Sequence, residues 1–197
     1  MEKVFLLRHT ESELSVQGIL NGDPRVPCGL TALGVEQARG LGQTLALEHI
    51  ELAITSDFER CRLTARIALA GRDVRWLELP ELGDIHNGSF EGDQLTTCLK
   101  WADSTSASEP APGGGESRVG AARRFAAGVR AVLDRPERAA LVISHALPVA
   151  YVLCAAEGRN PTPQIEPVPY ARPVILEPEQ LKRAVDTLEA WARRPNW

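Results

Sequence analysis

The chain has 197 residues, with 26 Asp and Glu against 22 Lys and Arg and a formal net charge of −4. That balance speaks against a nucleic-acid binder, which carries a basic face, and it requires any anion site to be built locally from a few converging cations. Apolar residues at 44% and charged residues at 24% are the composition of a globular chain that buries a core, and the length favours one domain over 1–197.

Val4 to Leu7 is a short apolar run, the mark of a buried strand, and it ends in Arg8-His9. A loop rich in Gly and Pro follows through Pro27. Thr31 predicts an N-cap, and Val35, Ala38, Leu41 and Leu45 then recur at helical spacing. Leu52-Ala53-Ile54 reads as a second strand. Ser56 or Asp57 is expected to cap a helix from Glu59 to Ala70, with Gly71 at its end. Val74 to Leu77 predicts a third strand.

From about Gly83 to Gly115 the composition turns to Ser, Thr, Pro and Gly, with Leu95 and Trp101 as isolated apolar anchors. This stretch is expected to be an inserted lid, since long loops in compact domains are usually functional or disordered. Ser117 predicts the cap of a helix carrying Val119, Ala122, Phe125, Val129 and Val132. Ala139 to Ile143 is a strongly apolar strand that ends in Ser144-His145. A short helix containing Pro148 in its first turn follows. Ala171 to Leu176 reads as a further strand, and Pro178 starts the last helix.

Strands alternating with helices predict an α/β fold: a three-layer, open, mostly parallel sheet with helices on both faces and the inserted lid segment. In such sheets ligands bind beyond the carboxyl ends of the strands. Arg8-His9 and Ser144-His145 both fall there.

Cys28, Cys61, Cys98 and Cys154 stand apart with no CxxC pair, which argues against a zinc knuckle or redox motif and for reduced thiols. The apolar run near the start is too short for a secretory leader, and no run reaches membrane-spanning length. The expectation is a cytoplasmic protein.

Four patterns carry chemistry: Leu7-Arg8-His9-Thr10-Glu11; Thr55-Ser56-Asp57-Phe58-Glu59-Arg60; Leu82-Gly83-Asp84 with Gly88-Ser89-Phe90-Glu91-Gly92; and Val142-Ile143-Ser144-His145. Together and in this order they resemble the histidine phosphatase superfamily, in particular its phosphoglycerate-mutase-like branch, from Lys3 to about Ala156. The resemblance implies that His9 is the nucleophile and becomes phosphorylated, with Arg8, Arg60 and His145 around the phosphoryl oxygens. Such cations do most of the work in phosphoryl transfer. They would also disfavour imidazolium and keep His9 neutral for attack. Ser15, Asn21 and Ala146 join the expected substrate contacts.

The sequence also departs from the family pattern. The family's Leu-x-Glu acid lies four residues before a glycine, and by that count Asp84 takes the role; Glu81 in Leu79-Pro80-Glu81 is the alternative. Thr10 stands where a Gly is common, and Ser15 where an Asn is. Gly113-Gly114-Gly115-Glu116-Ser117 resembles the family's Gly-Glu-Ser stretch, read either as a hinge and cap or as a catalytic element. His49 and His86 match no motif position. Metal ligation by His9, Asp84 and His145 has no supporting motif, so no metal and no cofactor are expected.

The expected activity is hydrolysis of a small phosphomonoester, with neither nucleic acid nor membrane as partner. The alternatives are a phosphoglycerate-type mutase and a non-catalytic phospho-ligand binding protein. A mutase needs basic residues for a substrate carboxylate, yet residues 10–24 contain no Lys or Arg and residues 83–115 only Lys100. A non-catalytic relative would be expected to have lost one of Arg8, His9, Arg60 and His145. Phe90, Leu95 and Trp101 are the expected apolar surface for a leaving group. Oligomeric state stays open, a homodimer being one option.

Overall fold

The computed structural model describes residues 1–197. Five strands form one sheet in the order β3-β2-β4-β1-β5. They are β1 (Lys3–Arg8), β2 (Leu52–Thr55), β3 (Arg75–Glu78), β4 (Ala139–Ser144) and β5 (Val174–Leu176). The first four are mutually parallel, and β5 runs antiparallel along β1 at one edge. β4 is buried along its whole length, as a central parallel strand covered on both faces must be.

Period-two alternation along the strands assigns side chains to two cores. Phe5, Leu7, Ala53, Leu141 and Ile143 face α2 (Ala32–Thr44) and α3 (Glu59–Ala68). Val4, Leu6, Leu52, Ile54, Ala140 and Val142 face α5 (Arg118–Leu133), α6 (Ala146–Ala156) and α7 (Pro178–Arg193). Each fully buried Leu, Ile or Phe in these layers contributes roughly 1.5–3 kcal/mol. The three-layer architecture expected from the sequence is present.

Thr31 and Ser117 cap α2 and α5 by accepting from the amides of Gly34 and Gly120, and Pro178 opens α7. The expected cap of α3 is corrected. Phe58 holds the N-cap position with no side-chain bond, because the Ser56 hydroxyl is engaged with His145 instead. The predicted strand from Ala171 shortens to β5. Ala171 has φ +54, and its amide donates to Arg8 O, so the chain turns there before pairing. Two helices were unforeseen: α1 (Glu13–Val16) in the first loop and α4 (Leu95–Asp103) in the lid.

The lid is tied to the body by backbone approach. Gly22 passes so close to the lid that a Cβ would lie 2.1 Å from Ile85 O. The Glu91 carboxylate accepts from the amides of Gly22 and Asn87, pinning the first loop to the lid. Gly88 has φ +59, with Pro112 O 2.0 Å from where a Cβ would be. These contacts explain the Gly-Ser-Phe-Glu-Gly string as architecture.

Candidate active site

Register places the site. Arg8 pairs with Ser144 at the carboxyl ends of β1 and β4, so His9 and His145 emerge side by side, their ring centroids 5.3 Å apart. β2 ends one strand over, and α3 begins there with Arg60 in its first turn. Three segments distant in sequence thereby converge where parallel sheets place ligands.

His9 is buried, and its Nδ1 lies 2.6 Å from Thr10 O. A carbonyl only accepts, so Nδ1 carries the proton and Nε2 presents the lone pair. Burial lowers the His9 pKa well below its ordinary value, helped by Arg60 and Arg8 and opposed by the Thr10 bond. Thr10 packs its hydroxyl and amide against Thr64 of α3, which accounts for a side chain where the family commonly has glycine.

Arg60 is the hub. Its Nε donates to His9 Nε2 at 3.2 Å and its Nη2 to His145 Nδ1 at 3.0 Å. It also donates to Asn21 Oδ1 at 2.6 Å and to Asn21 O at 3.0 Å, and its guanidinium stacks on Phe58. With Nδ1 accepting, His145 is the Nε2–H tautomer, donating to Ser56 Oγ at 2.8 Å. Burial first, then Arg60, pushes the His145 pKa well down. The guanidinium sits among His9, His145 and Asp84, where a metal ion would have to sit, and its charge opposes a second cation.

Asp84 faces the same cavity, its Oδ2 3.5 Å from Arg60 Nη2 and 3.6 Å from His145 Nδ1. Burial pushes its carboxyl above the usual range, with Arg60 pulling the other way. Glu81 does not line the cavity. Its Oε2 is buried without a partner, and its Cβ lies against Gly128 of α5. Geometry thus separates the two carboxylates that spacing alone left open.

Asn21, Ser15 and Ala146 all line the cavity, in different ways. Asn21 spends its carbonyl on Arg60. Ser15 gives its hydroxyl hydrogen to Ser12 O and accepts from the Ser12 amide and hydroxyl, so it staples α1. Ala146 is the first residue of α6, where amides lack helical partners. Phe90 and Trp101 pack against each other at a tilt, ring centroids 5.5 Å apart, and do not line this cavity. Leu95 does, together with Leu99. Glu116 of the Gly-Glu-Ser stretch pairs with Arg124 at 2.6 Å, which makes that stretch a clamp. His49 is exposed and His86 lies outside the cavity.

Two residues of the site carry no local signal in the sequence. Arg124 of α5 donates to the backbone carbonyls of Glu81, Gly83 and Asp84, and so holds the strand–lid junction that presents Asp84. Tyr170 lies under Arg8, whose Cζ is 3.9 Å from the ring centroid. Arg8 also donates to Val168 O, while its buried Nε has no partner. We expect Tyr170→Leu to lower kcat/KM by about 2- to 30-fold, the worth of a partly desolvated cation–π contact, and to weaken vanadate inhibition in parallel. Tyr170→Phe should restore most of both. An unchanged vanadate constant in Tyr170→Leu would remove Tyr170 from the site.

The fold gathers paired histidines and arginines at the carboxyl end of a parallel sheet. The family model of the histidine phosphatase superfamily (branch 1) matches residues 4–190, and the chain belongs to that superfamily. The adenosylcobalamin/alpha-ribazole phosphatase of Salmonella typhimurium is 38% identical over 89 residues, 45% of this chain and 43% of the relative. The chain thus matches less than half the length of that relative. Phosphoserine phosphatase 1 of Hydrogenobacter thermophilus is 26% identical over 171 residues, 80% of this chain and 77% of the relative. Among solved structures, TTHB049 from Thermus thermophilus has a TM-score of 0.65 at 32% identity, covering 88% of this chain and 92% of that one. Bacillus stearothermophilus YhfR has a TM-score of 0.78 at 24% identity, over 89% and 90%, and shares the fold.

Proposed function

We propose that the chain is a phosphatase that hydrolyses small phosphomonoesters through a phosphohistidine at His9. The observation that carries this reading is the Arg60 hub, which holds His9, His145 and Asp84 around one cavity while the Thr10 carbonyl keeps the His9 proton on Nδ1, so that the Nε2 lone pair, which accepts from Arg60 Nε, is freed when a phosphoryl group takes that donor. In the first step Nε2 attacks phosphorus, the phosphorus–oxygen bond to the leaving group breaks, and Asp84 gives its proton to the departing oxygen. Arg8 and Arg60 hold the equatorial oxygens, Arg60 exchanging its bonds to His9, His145 and Asn21 for bonds to phosphate, and His145 joins them with its proton moved to the Nδ1 that Arg60 releases. In the second step the Asp84 carboxylate takes a proton from water as that water attacks phosphorus. The phosphorus–nitrogen bond breaks, releasing inorganic phosphate and neutral His9.

The walls next to this centre are mainly apolar, with Ile19, Leu20, Leu95 and Leu147 among them. A compact substrate with a second anion, such as a phosphoglycerate, finds no further cation there, which disfavours the mutase reading. Relatives bear the names of alpha-ribazole, phosphoserine and broad-specificity phosphatases, and the apolar walls favour leaving groups with apolar bulk. No helix is long and apolar enough to cross a membrane, and with four free cysteines we place the enzyme in the cytoplasm. Phosphate release from 2-naphthyl phosphate, 3-phosphoglycerate and 2,3-bisphosphoglycerate tests the reading. The naphthyl ester should give the highest kcat/KM, and a clear preference for either glycerate would reinstate the mutase.

A further inference from the structure

The cavity that contains His9 encloses about 240 Å³, far more than a phosphoryl group occupies. Beyond the catalytic cluster its walls are apolar side chains of the first loop, α4 and α6. One further cation lines it: Arg118, the first residue of α5. Arg118 also lines the adjoining small cleft with Trp101, Pro163 and Trp197, a cleft that Arg8, His9, Arg60, Asp84 and His145 do not line. Its charge is felt at Cys98 and Tyr151.

Arg118 has no acidic partner. Arg124 and Arg130 on the same helix pair with Glu116 and Glu189, and Arg8 and Arg60 are held by backbone and side-chain acceptors. The polar neighbours of Arg118 are the Cys98 thiol and the Tyr151 hydroxyl, both of which feel its charge. Packed between Phe125 and Trp191, that hydroxyl is buried and makes no hydrogen bond of good geometry. An oxyanion entering the cavity meets a guanidinium free of acidic partners, whose planar fork offers it two charge-assisted bonds.

We propose that Arg118 is a specificity-determining residue that receives an oxyanion, a carboxylate or second phosphate, at the far end of an extended and largely apolar leaving group. This rests on the phosphatase reading and adds the substrate class to it: an ester with phosphate at one end, apolar bulk between, and an anion at the other end. On this proposal a compact bisphosphate must leave its second charge short of Arg118.

The test compares 2-naphthyl phosphate with its 6-carboxylate derivative on the wild-type chain and on Arg118→Gln and Arg118→Lys. The wild type should prefer the carboxylate ester by about ten- to a hundredfold in kcat/KM, the worth of a charge-assisted hydrogen bond. The difference should lie in KM. Arg118→Gln should bring the ratio of the two esters to about one, and Arg118→Lys should recover part of it. Parallel losses on both esters in Arg118→Gln, or a wild-type ratio near one, would overturn the proposal while leaving the phosphatase reading intact. Should neither ester turn over, the phosphatase reading fails, and fluorescence titration with 6-hydroxy-2-naphthoate and 2-naphthol still decides the assignment. Tighter binding of the naphthoate that Arg118→Gln abolishes supports it, and equal binding of the two refutes it.

Discussion

Replacing His9 with alanine is expected to lower phosphate release by roughly 10⁴-fold or more, as removal of a nucleophile does where the group acts as a unit with its neighbours. Brief incubation of the wild-type chain with a ³²P-labelled ester and quenching without acid should trap an acid-labile, base-stable phosphoprotein, and His9→Ala should carry no label. The chemistry follows from the tautomer. Thr10 O holds the proton on Nδ1, so Nε2 attacks without first losing a proton. Burial, Arg60 and Arg8 keep imidazolium disfavoured, so the neutral nucleophile persists at pH values below the ordinary histidine range.

The neighbouring side chains compete poorly for this role. Burial pushes the Cys61 thiol up to about 12, so its thiolate is scarce at neutral pH. The Ser56 hydroxyl is buried and bonded to His145. Label on Cys61 or Ser56 would sink the mechanism.

The part of this site that was legible in the sequence is the part fixed by local pattern. A buried strand ending in Arg-His, and another ending in Ser-His, place two imidazoles at the carboxyl edge of a sheet because strand ends in parallel sheets share one rim. Arg60, by itself an arginine on a helix surface, is singled out by the resemblance that the Thr55-Ser56-Asp57-Phe58-Glu59-Arg60 pattern carries. Arg124, Tyr170 and Arg118 were not legible. An arginine on an amphipathic helix reads as solvated surface, and only the packing of α5 against residues 80–84 turns Arg124 inward. Tyr170 reaches Arg8 through an isolated parallel bridge just before β5, closed by the Ala171 amide on Arg8 O, which brings opposite ends of the chain together. α4 escaped notice because Thr96, Thr97 and Cys98 are weak helix formers, and the lid helix is held by its packing.

Asp84 gives the second large effect. Asp84→Asn should slow esters of poor leaving groups, such as alkyl alcohols, by about 10²–10⁴-fold. Aryl esters with acidic leaving groups, which depart without a proton, should slow far less. The carboxyl is one methylene shorter than the glutamate the family pattern carries, and its position in the cavity is fixed by its neighbours. Arg124 holds the Asp84 carbonyl, Ile85 N donates to Oδ1, and Oδ2 stands 3.5 Å from Arg60. Protonation of Asp84 is favoured by burial, which raises its pKa above the ordinary carboxylate value. The acid form is therefore present below that raised pKa and lost as pH rises through it. In the wild type, kcat/KM for an alkyl ester should fall with rising pH across that titration, while the activated aryl ester stays nearly flat. Asp84→Asn should flatten the alkyl profile and remove the difference in shape between the two substrates. Glu81→Gln should leave both profiles unchanged, since Glu81 sits against Gly128 and outside the cavity. A selective loss in Glu81→Gln, or equal losses for both leaving groups in Asp84→Asn, would take the acid role away from Asp84.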